Sequence, residues 1–271
     1  MELIFKTEKI SPRVTRIFAF NTELMYLVEG TERAALIDTG SGFGSLKACV
    51  DGLTDKPVAV LLSHGHTDHA LGAAEFAEVY ISPLDAAVYA VHSAMEFRAR
   101  SGEMWPDFHA LSPEEIIPAL PFEAMKPLGA GDTFDLGGLH IETFACPGHT
   151  PGSLAFLLAE ERMLFLGDAA NGRTFLFDEF AAPIPAYRET LRALDAQAAG
   201  RYDRILLSHA GGEAAVGLLP SLIAVCDDIL TGRADNQSFE FLGDTAYLAK
   251  AIGADGERLD GGAGNIVYRR A

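Results

Sequence analysis

The chain is short of several things that would direct a reading elsewhere. It has three cysteines, Cys49, Cys146 and Cys226, in 271 residues. They are too few and too irregularly spaced for a disulfide framework or a thiolate zinc knuckle, so each reads as a small buried hydrophobe. Positive charge is scarce, with 21 Lys plus Arg against 38 Asp plus Glu and a formal charge of -17. Such a chain repels polyanions on average, which argues against a nucleic-acid partner or an anionic membrane face. No apolar run approaches the length needed to span a bilayer, and the opening MELIFKTEKISPRV lacks the apolar core and small-residue cleavage site of an export signal. The cytoplasm is the expected compartment. Ser/Pro-rich linkers, charge blocks and low-complexity segments are missing too, so a single domain over residues 1–271 is the expected organisation.

What the chain does have is apolar material, 49% of its residues, ample for a sizeable core. Short apolar runs bounded by Gly, Asp or Pro predict strands at Met25–Val28, Ala35–Ile37, Val58–Leu62, Leu139–Phe144, Ser153–Leu158, Met163–Leu166, Arg204–Leu207 and Asn265–Tyr268. Helical patterns run over Ser45–Leu53, Asp68–Ala77, Leu84–Arg100, Ala186–Ala198 and Glu213–Leu230. The alternation predicts an α/β chain with sheets covered by helices. Leu61-Leu-Ser-His64 recurs as Leu206-Leu-Ser-His209, in each case a short buried-type strand ending on a histidine. Residues 93–126 differ in texture, with Met95, Phe97, Met104, Trp105, Phe108 and Met125 among Pro and acidic residues. They suit a helical lid inserted over a pocket, or equally a helical hairpin that packs its aromatics into the core.

The stretch SHGHTDHALGA, residues 63–73, crowds His64, His66, Asp68 and His69 into six positions. On one helix the three histidines would not share a face, so they belong on a turn at the carboxyl end of a strand. Gly65 permits the bend, and Thr67 is the expected N-cap of the helix that follows. Imidazole and carboxylate together suit zinc and other borderline divalent metals. More candidate ligands occupy matching settings: His149 in Cys146-Pro-Gly-His149-Thr-Pro-Gly, Asp168 after the strand ending Leu166-Gly, and His209 at another strand end.

In this order the residues resemble the metallo-β-lactamase superfamily, whose signature is His-x-His-x-Asp-His followed by a separate His, an Asp and a final His. The resemblance runs from Asp38 to His209, and Leu36-Ile-Asp38-Thr-Gly40 is similar to the family's first motif, in which the aspartate supports the site from behind. It implies a four-layer αβ/βα sandwich with two central mixed sheets flanked by helices and built from two related halves. It also implies two divalent metal ions, zinc foremost, with iron or manganese as alternatives. His64, His66 and His149 would hold one, Asp68, His69 and His209 the other, and Asp168 would bridge. The implied activity is hydrolysis of a carboxylic ester, thioester or lactone of a small molecule. Two metals about 4 Å apart can share a hydroxide, lower its pKa toward neutrality and clamp the attacked and leaving oxygens. Asp68 and Asp168 are the expected catalytic residues, Asp68 orienting the nucleophile and accepting a proton.

Departures from subfamily patterns narrow the expectation. An aspartate at 168 is similar to the glyoxalase II, lactonase and phosphodiesterase branches rather than the antibiotic-degrading lactamases. Flavodiiron oxidoreductases carry glutamate where His66 stands, and acyl-homoserine lactonases carry a tyrosine soon after the aspartate, which Asp168-Ala-Ala-Asn-Gly-Arg173 lacks. Gly172-Arg173 is a faint likeness to the glutathione-binding stretch of glyoxalase II. The acidic charge argues against the RNA-processing branch. Two other readings stay open: a mononuclear iron enzyme like the persulfide dioxygenases, and a non-catalytic metal-binding or sensory protein of the same fold. Asn171, Arg173, Phe175 and His109 are the expected substrate-pocket residues, with Phe180 and Tyr187 either lining the pocket or in the core. His92 and His140 lie outside the signature and read as surface or structural histidines. A monomer or homodimer is expected.

Overall fold

The computed structural model describes residues 5–19, 23–102, 112, 115–241 and 243–270. The chain forms two compact units, Met1–Thr143 and Phe144–Ala271.

The first unit is built on a seven-stranded sheet whose order follows the chain: β1 (Lys6–Lys9), β2 (Val14–Phe18), β3 (Leu24–Glu29), β4 (Ala34–Ile37), β5 (Val58–Leu61), β6 (Val79–Ile81) and β7 (Lys126–Pro127). The first four strands are an antiparallel meander, and the pairings from β4 to β7 are parallel. Parallel neighbours need crossovers, and these supply the helices: α1 (Leu46–Asp51), α2 (Thr67–Ala70), α3 (Ala86–His92) and α4 (Met95–Gly102). Strand β4 is buried at all four residues, as a strand covered on both faces must be. Leu36, Val60 and Leu62 pack with Leu46 and Val50 of α1, Ala70 and Leu71 near α2, and Tyr89 of α3. Strands β4 and β5 are parallel with Ile37 opposite Leu61, so their carboxyl ends finish side by side. That is where an open α/β sheet presents its ligands.

A hairpin of β8 (Thr133–Asp135) and β9 (His140–Ala145) ends the first unit, and the boundary between units falls inside β9. Its two-residue loop is Gly137-Gly138, both at positive φ, the backbone that the right-handed twist of a tight hairpin requires.

The second unit orders β14 (Glu213–Ala214), β13 (Arg204–Leu206), β11 (Met163–Phe165) and β10 (Leu154–Leu158) side by side. A further sheet runs β12 (Thr174–Leu176), β17 (Ile266–Tyr268), β16 (Asp244–Leu248) and β15 (Gln237–Phe241). Helices α5 (Ile184–Ala198) and α6 (Leu218–Leu230) cover these strands. The buried residues of α5, Tyr187, Leu191, Leu194 and Ala198, recur at helical spacing and meet Leu164, Leu166, Ile205, Leu219 and Leu222 in one core. Each such leucine removed from water contributes about 1.5–3 kcal/mol. Strands β11 and β13 are parallel with Phe165 opposite Leu206, so here too two carboxyl ends finish together.

Several helices are shorter than the sequence pattern predicts. The pattern over Asp68–Ala77 breaks into α2 and a 3₁₀ turn at Ala73–Glu75, because the Thr39-Gly40 loop takes over its backbone. Thr39 N–H donates to the His69 carbonyl at 2.7 Å and Leu71 N–H to the Gly40 carbonyl at 3.0 Å. Gly72 makes this approach possible, since a Cβ there would lie 2.4 Å from the Thr39 carbonyl oxygen. Leu84–Arg100 divides into α3 and α4 at Ser93-Ala94. Glu213-Ala214 is a strand, and α6 begins only at Leu218. The N-cap of α2 is His66 rather than Thr67, whose hydroxyl donates instead to the His92 carbonyl at 2.8 Å. No helix among the described residues is long and apolar enough to cross a membrane.

Candidate metal centre

Within the first unit the cluster is assembled by the two adjoining strand ends. Asp38 follows β4 at a φ of 61°, a left-handed conformation that Asp tolerates better than most residues. Its buried carboxylate accepts from Ser63 N–H at 2.7 Å and from the Ser63 hydroxyl at 2.8 Å, and lies 2.8 Å from His69 Nδ1. A carboxylate can only accept, so His69 carries its proton on Nδ1. The Ser63 hydroxyl has spent its own proton on Asp38, so its 3.0 Å contact with His64 Nδ1 makes His64 the donor. One carboxylate thus fixes two imidazoles as Nδ1–H tautomers, His69 directly and His64 through Ser63. Both then present the Nε2 lone pair, the form in which histidine binds a metal.

Those rings gather closely. His64 lies 4.7 Å from His66 and 4.0 Å from His69 between ring centroids, and His69 Nε2 is 3.5 Å from a carboxylate oxygen of Asp68. His64, His66 and His69 are buried, whereas the Asp68 side chain keeps 38% of its surface exposed. The Gly65 N–H donates to the fully buried Asp85 at 2.8 Å. Gly65 matters for space, since a Cβ there would press on Tyr89 N and Asp85 at 3.2–3.3 Å.

The second unit carries a matching set. Asp168 follows β11 and His209 follows β13, and their parallel register brings His209 Nε2 to 3.3 Å from Asp168 Oδ2. His149 Nε2 lies 3.9 Å from the same oxygen. His149 Nδ1 donates to the Phe175 carbonyl at 2.8 Å, so this imidazole also presents Nε2. Asn171 Nδ2 donates to the other oxygen, Asp168 Oδ1, at 3.3 Å, leaving Oδ2 turned to the two histidines. Beneath these loops Tyr187 is fully buried, donates to the Ala169 carbonyl at 2.7 Å, and fills the space where a Cβ on Gly148 would fall 2.1 Å from its ring. Burial raises the Tyr187 phenol well above its ordinary range and pushes the Cys146 thiol up to about 12. Both groups are neutral packing elements at ordinary pH.

The residues expected at a substrate pocket are placed as follows. Phe175 lies on strand β12, its carbonyl on His149 and its ring 4.9 Å from Phe241 and 5.7 Å from Phe177. Asn171 bonds Asp168 and also accepts from Arg173 N–H at 2.7 Å. Arg173 donates to the Gly256 carbonyl at 3.0 Å. His109 and part of the 93–126 insert lie outside the described residues.

The sequence profile of the Metallo-beta-lactamase superfamily matches residues 20–209. The chain belongs to the metallo-β-lactamase superfamily. Its match crosses the boundary between the two units. The metallo-β-lactamase from Pontibacter korlensis superimposes with a TM-score of 0.61 at 18% identity, covering 83% of this chain and 100% of that one. The fold is therefore the metallo-β-lactamase α/β sandwich of mixed sheets flanked by helices. Among curated relatives, the acyl-coenzyme A thioesterase MBLAC2 of Gallus gallus is 29% identical over 55% of this chain and 57% of its own length. The hydroxyacylglutathione hydrolase of Xylella fastidiosa is 28% identical over 58% of this chain and 48% of its own. The chain thus spans about half the length of these relatives.

Some supporting residues were not legible in advance. Ser63 read as part of a repeated tetrapeptide and Asp85 fell unremarked inside a helical pattern, yet each holds a loop that carries candidate ligands, and Tyr187, read as core or pocket, is core that also bonds the Ala169 carbonyl. The spacing of Leu-Leu-Ser-His is the one signal that marks Ser63.

Proposed function

We propose that this chain is a metal-dependent hydrolase that cleaves an ester, thioester or lactone of a small molecule. The donor set fits divalent metals: imidazole nitrogens and carboxylate oxygens suit zinc, with iron or manganese as alternatives. In this reading His64, His66 and His149 hold one ion, Asp68, His69 and His209 a second, and Asp168 serves both. The observation that carries it is the proton bookkeeping. His64, His69 and His149 each have Nδ1 committed to a separate partner, so their Nε2 atoms are set as ligands before any ion arrives. Asp168 supports a bridging role, since one of its oxygens faces both His149 and His209 while Asn171 holds the other.

When bound, two such ions supply Lewis acidity and a water nucleophile usable near neutral pH. The chain's own residues supply the rest. Asp68, the most exposed carboxylate of the set, is the group able to orient water and take up a proton beside the substrate. Asp38 and Ser63 stay behind the ligands and keep their tautomers fixed. The curated relatives support an activated acyl bond as the target, one being named a thioesterase and the other a hydroxyacylglutathione hydrolase.

The test is a panel of thioesters, lactones, aryl esters and phosphodiesters assayed with zinc-loaded protein. Turnover of at least one acyl substrate above the phosphodiesters is expected. Turnover of phosphodiesters alone, or of none, contradicts the proposal.

A further inference from the structure

His92 lies outside the family signature, yet its ring stacks on His66 at 4.1 Å between centroids and 18° between planes. It is the last residue of α3 and is held in that position by Thr67 and Phe97. Thr67 N–H donates to His92 Nδ1 at 3.4 Å, the Thr67 hydroxyl donates to the His92 carbonyl at 2.8 Å, and the Phe97 ring of α4 lies 4.0 Å from the His92 ring between centroids, tilted by 39°. The His92 ring thus touches both Phe97 of the insert and His66 of the histidine cluster. Helix α4 is itself fastened: Arg98, 1% exposed, donates to the Ser41 carbonyl at 3.1 Å and to the Ile117 carbonyl at 2.8 Å. The Ser41 loop continues from Thr39-Gly40, whose backbone is bonded to His69 and Leu71.

We propose that His92 is a positioning residue that fixes the plane of the His66 imidazole, so that helices α3 and α4 set the affinity of the metal site to which His66 belongs. His64 and His69 take their orientation from Asp38, directly or through Ser63. His66 has the His92 ring of α3 stacked on its face. A face-on ring restricts rotation about χ2, the torsion that aims Nε2, without drawing on the lone pair. This inference rests on the metal-site reading above.

The test compares the full-length protein with His92→Ala, His92→Phe and Phe97→Ala, by zinc titration against a competing chelator and by the visible spectrum of the cobalt(II) form. Removing an orienting partner weakens metal binding by about 10–100-fold. His92→Ala is expected to weaken one ion's binding by about that factor and to alter the cobalt spectrum. His92→Phe keeps the stack and is expected to restore both readouts, and Phe97→Ala to shift them in the direction of His92→Ala. If His92→Ala does not fold, as judged by circular dichroism, Phe97→Ala against His92→Phe decides. Wild-type affinity and spectrum in the folded variants lacking a ring would overturn the proposal, as would His92→Phe binding as weakly as His92→Ala. Failure of the wild-type protein to bind any divalent ion would defeat the metal-site reading as well, whereas unchanged binding in the variants defeats only the role of His92.

Discussion

Replacing Asp38 by Asn removes one charge and alters almost no volume, and the consequences can be worked bond by bond. The native carboxylate receives Ser63 N–H on Oδ1 and both the Ser63 hydroxyl and His69 Nδ1–H on Oδ2. An amide has one accepting oxygen. Turned toward the Ser63 hydroxyl and His69, it sets its NH₂ against Ser63 N–H; turned the other way, it sets the NH₂ against two donors. With the Nδ1–H tautomers kept, at least one buried donor is orphaned, at about 1–3 kcal/mol. Asn tolerates the left-handed backbone at this position as Asp does, so no strain is added. Asp38→Asn should therefore lower the stability of the metal-free protein by about 1–3 kcal/mol, and zinc affinity by about 10–100-fold. Asp38→Ala, which orphans all three donors, should cost roughly twice as much or more, a large share of a typical 5–15 kcal/mol. Urea unfolding followed by circular dichroism in chelator measures the first quantity, and zinc titration against a competing chelator the second. An Asp38→Asn protein with unchanged midpoint and unchanged affinity would refute the proton assignment behind the site.

Gly148→Ala should lower the melting temperature by several degrees, because its Cβ would meet the Tyr187 ring at 2.1 Å and that ring is held by Ala169; overpacking of this kind costs about 1–3 kcal/mol. Gly172→Ala, whose Cβ meets nothing within 4 Å, is the matched control, and an equal loss in both would refute the packing argument. Cys146 and Cys226, each pushed up to about 12 by burial, should resist alkylation in the folded chain and react once urea is added. Their raised values mean that stability is intact below the ordinary thiol range near 9 and falls as pH rises toward about 12, so the urea midpoint should drop over that window and drop less in a Cys146→Ala/Cys226→Ala variant.

What was legible in the sequence was whatever depends on short range. The strand ends before His64, Asp168 and His209 could be read because an apolar run, a glycine or serine, and a ligand-type residue occur within a few positions. Asp38 was legible through its motif, although its double hold on His69 and, by way of Ser63, His64 was not. The interruption of the helix after Ala70 depends on the Thr39-Gly40 loop, some thirty positions earlier, so helical periodicity ran straight through it. That Phe175 lies in a strand was not legible, because its partner there, Val267, is about ninety residues away. The hairpin of β15 and β16 was missed because β15 alternates apolar and polar residues, Phe239 and Phe241 with Glu240 between them, and offers no continuous apolar run. His92 read as a surface or structural histidine inside the pattern Leu84–Arg100, since nothing local ties it to His66.

The measurement that bears most directly on the central claim is metal stoichiometry joined to turnover, by native mass spectrometry and elemental analysis of the wild-type chain and Asp168→Ala. The account predicts about two zinc-like ions per wild-type chain, one fewer in Asp168→Ala, and loss of nearly all hydrolytic turnover in the variant. One iron per chain with oxygen uptake, or full turnover in Asp168→Ala, would contradict it.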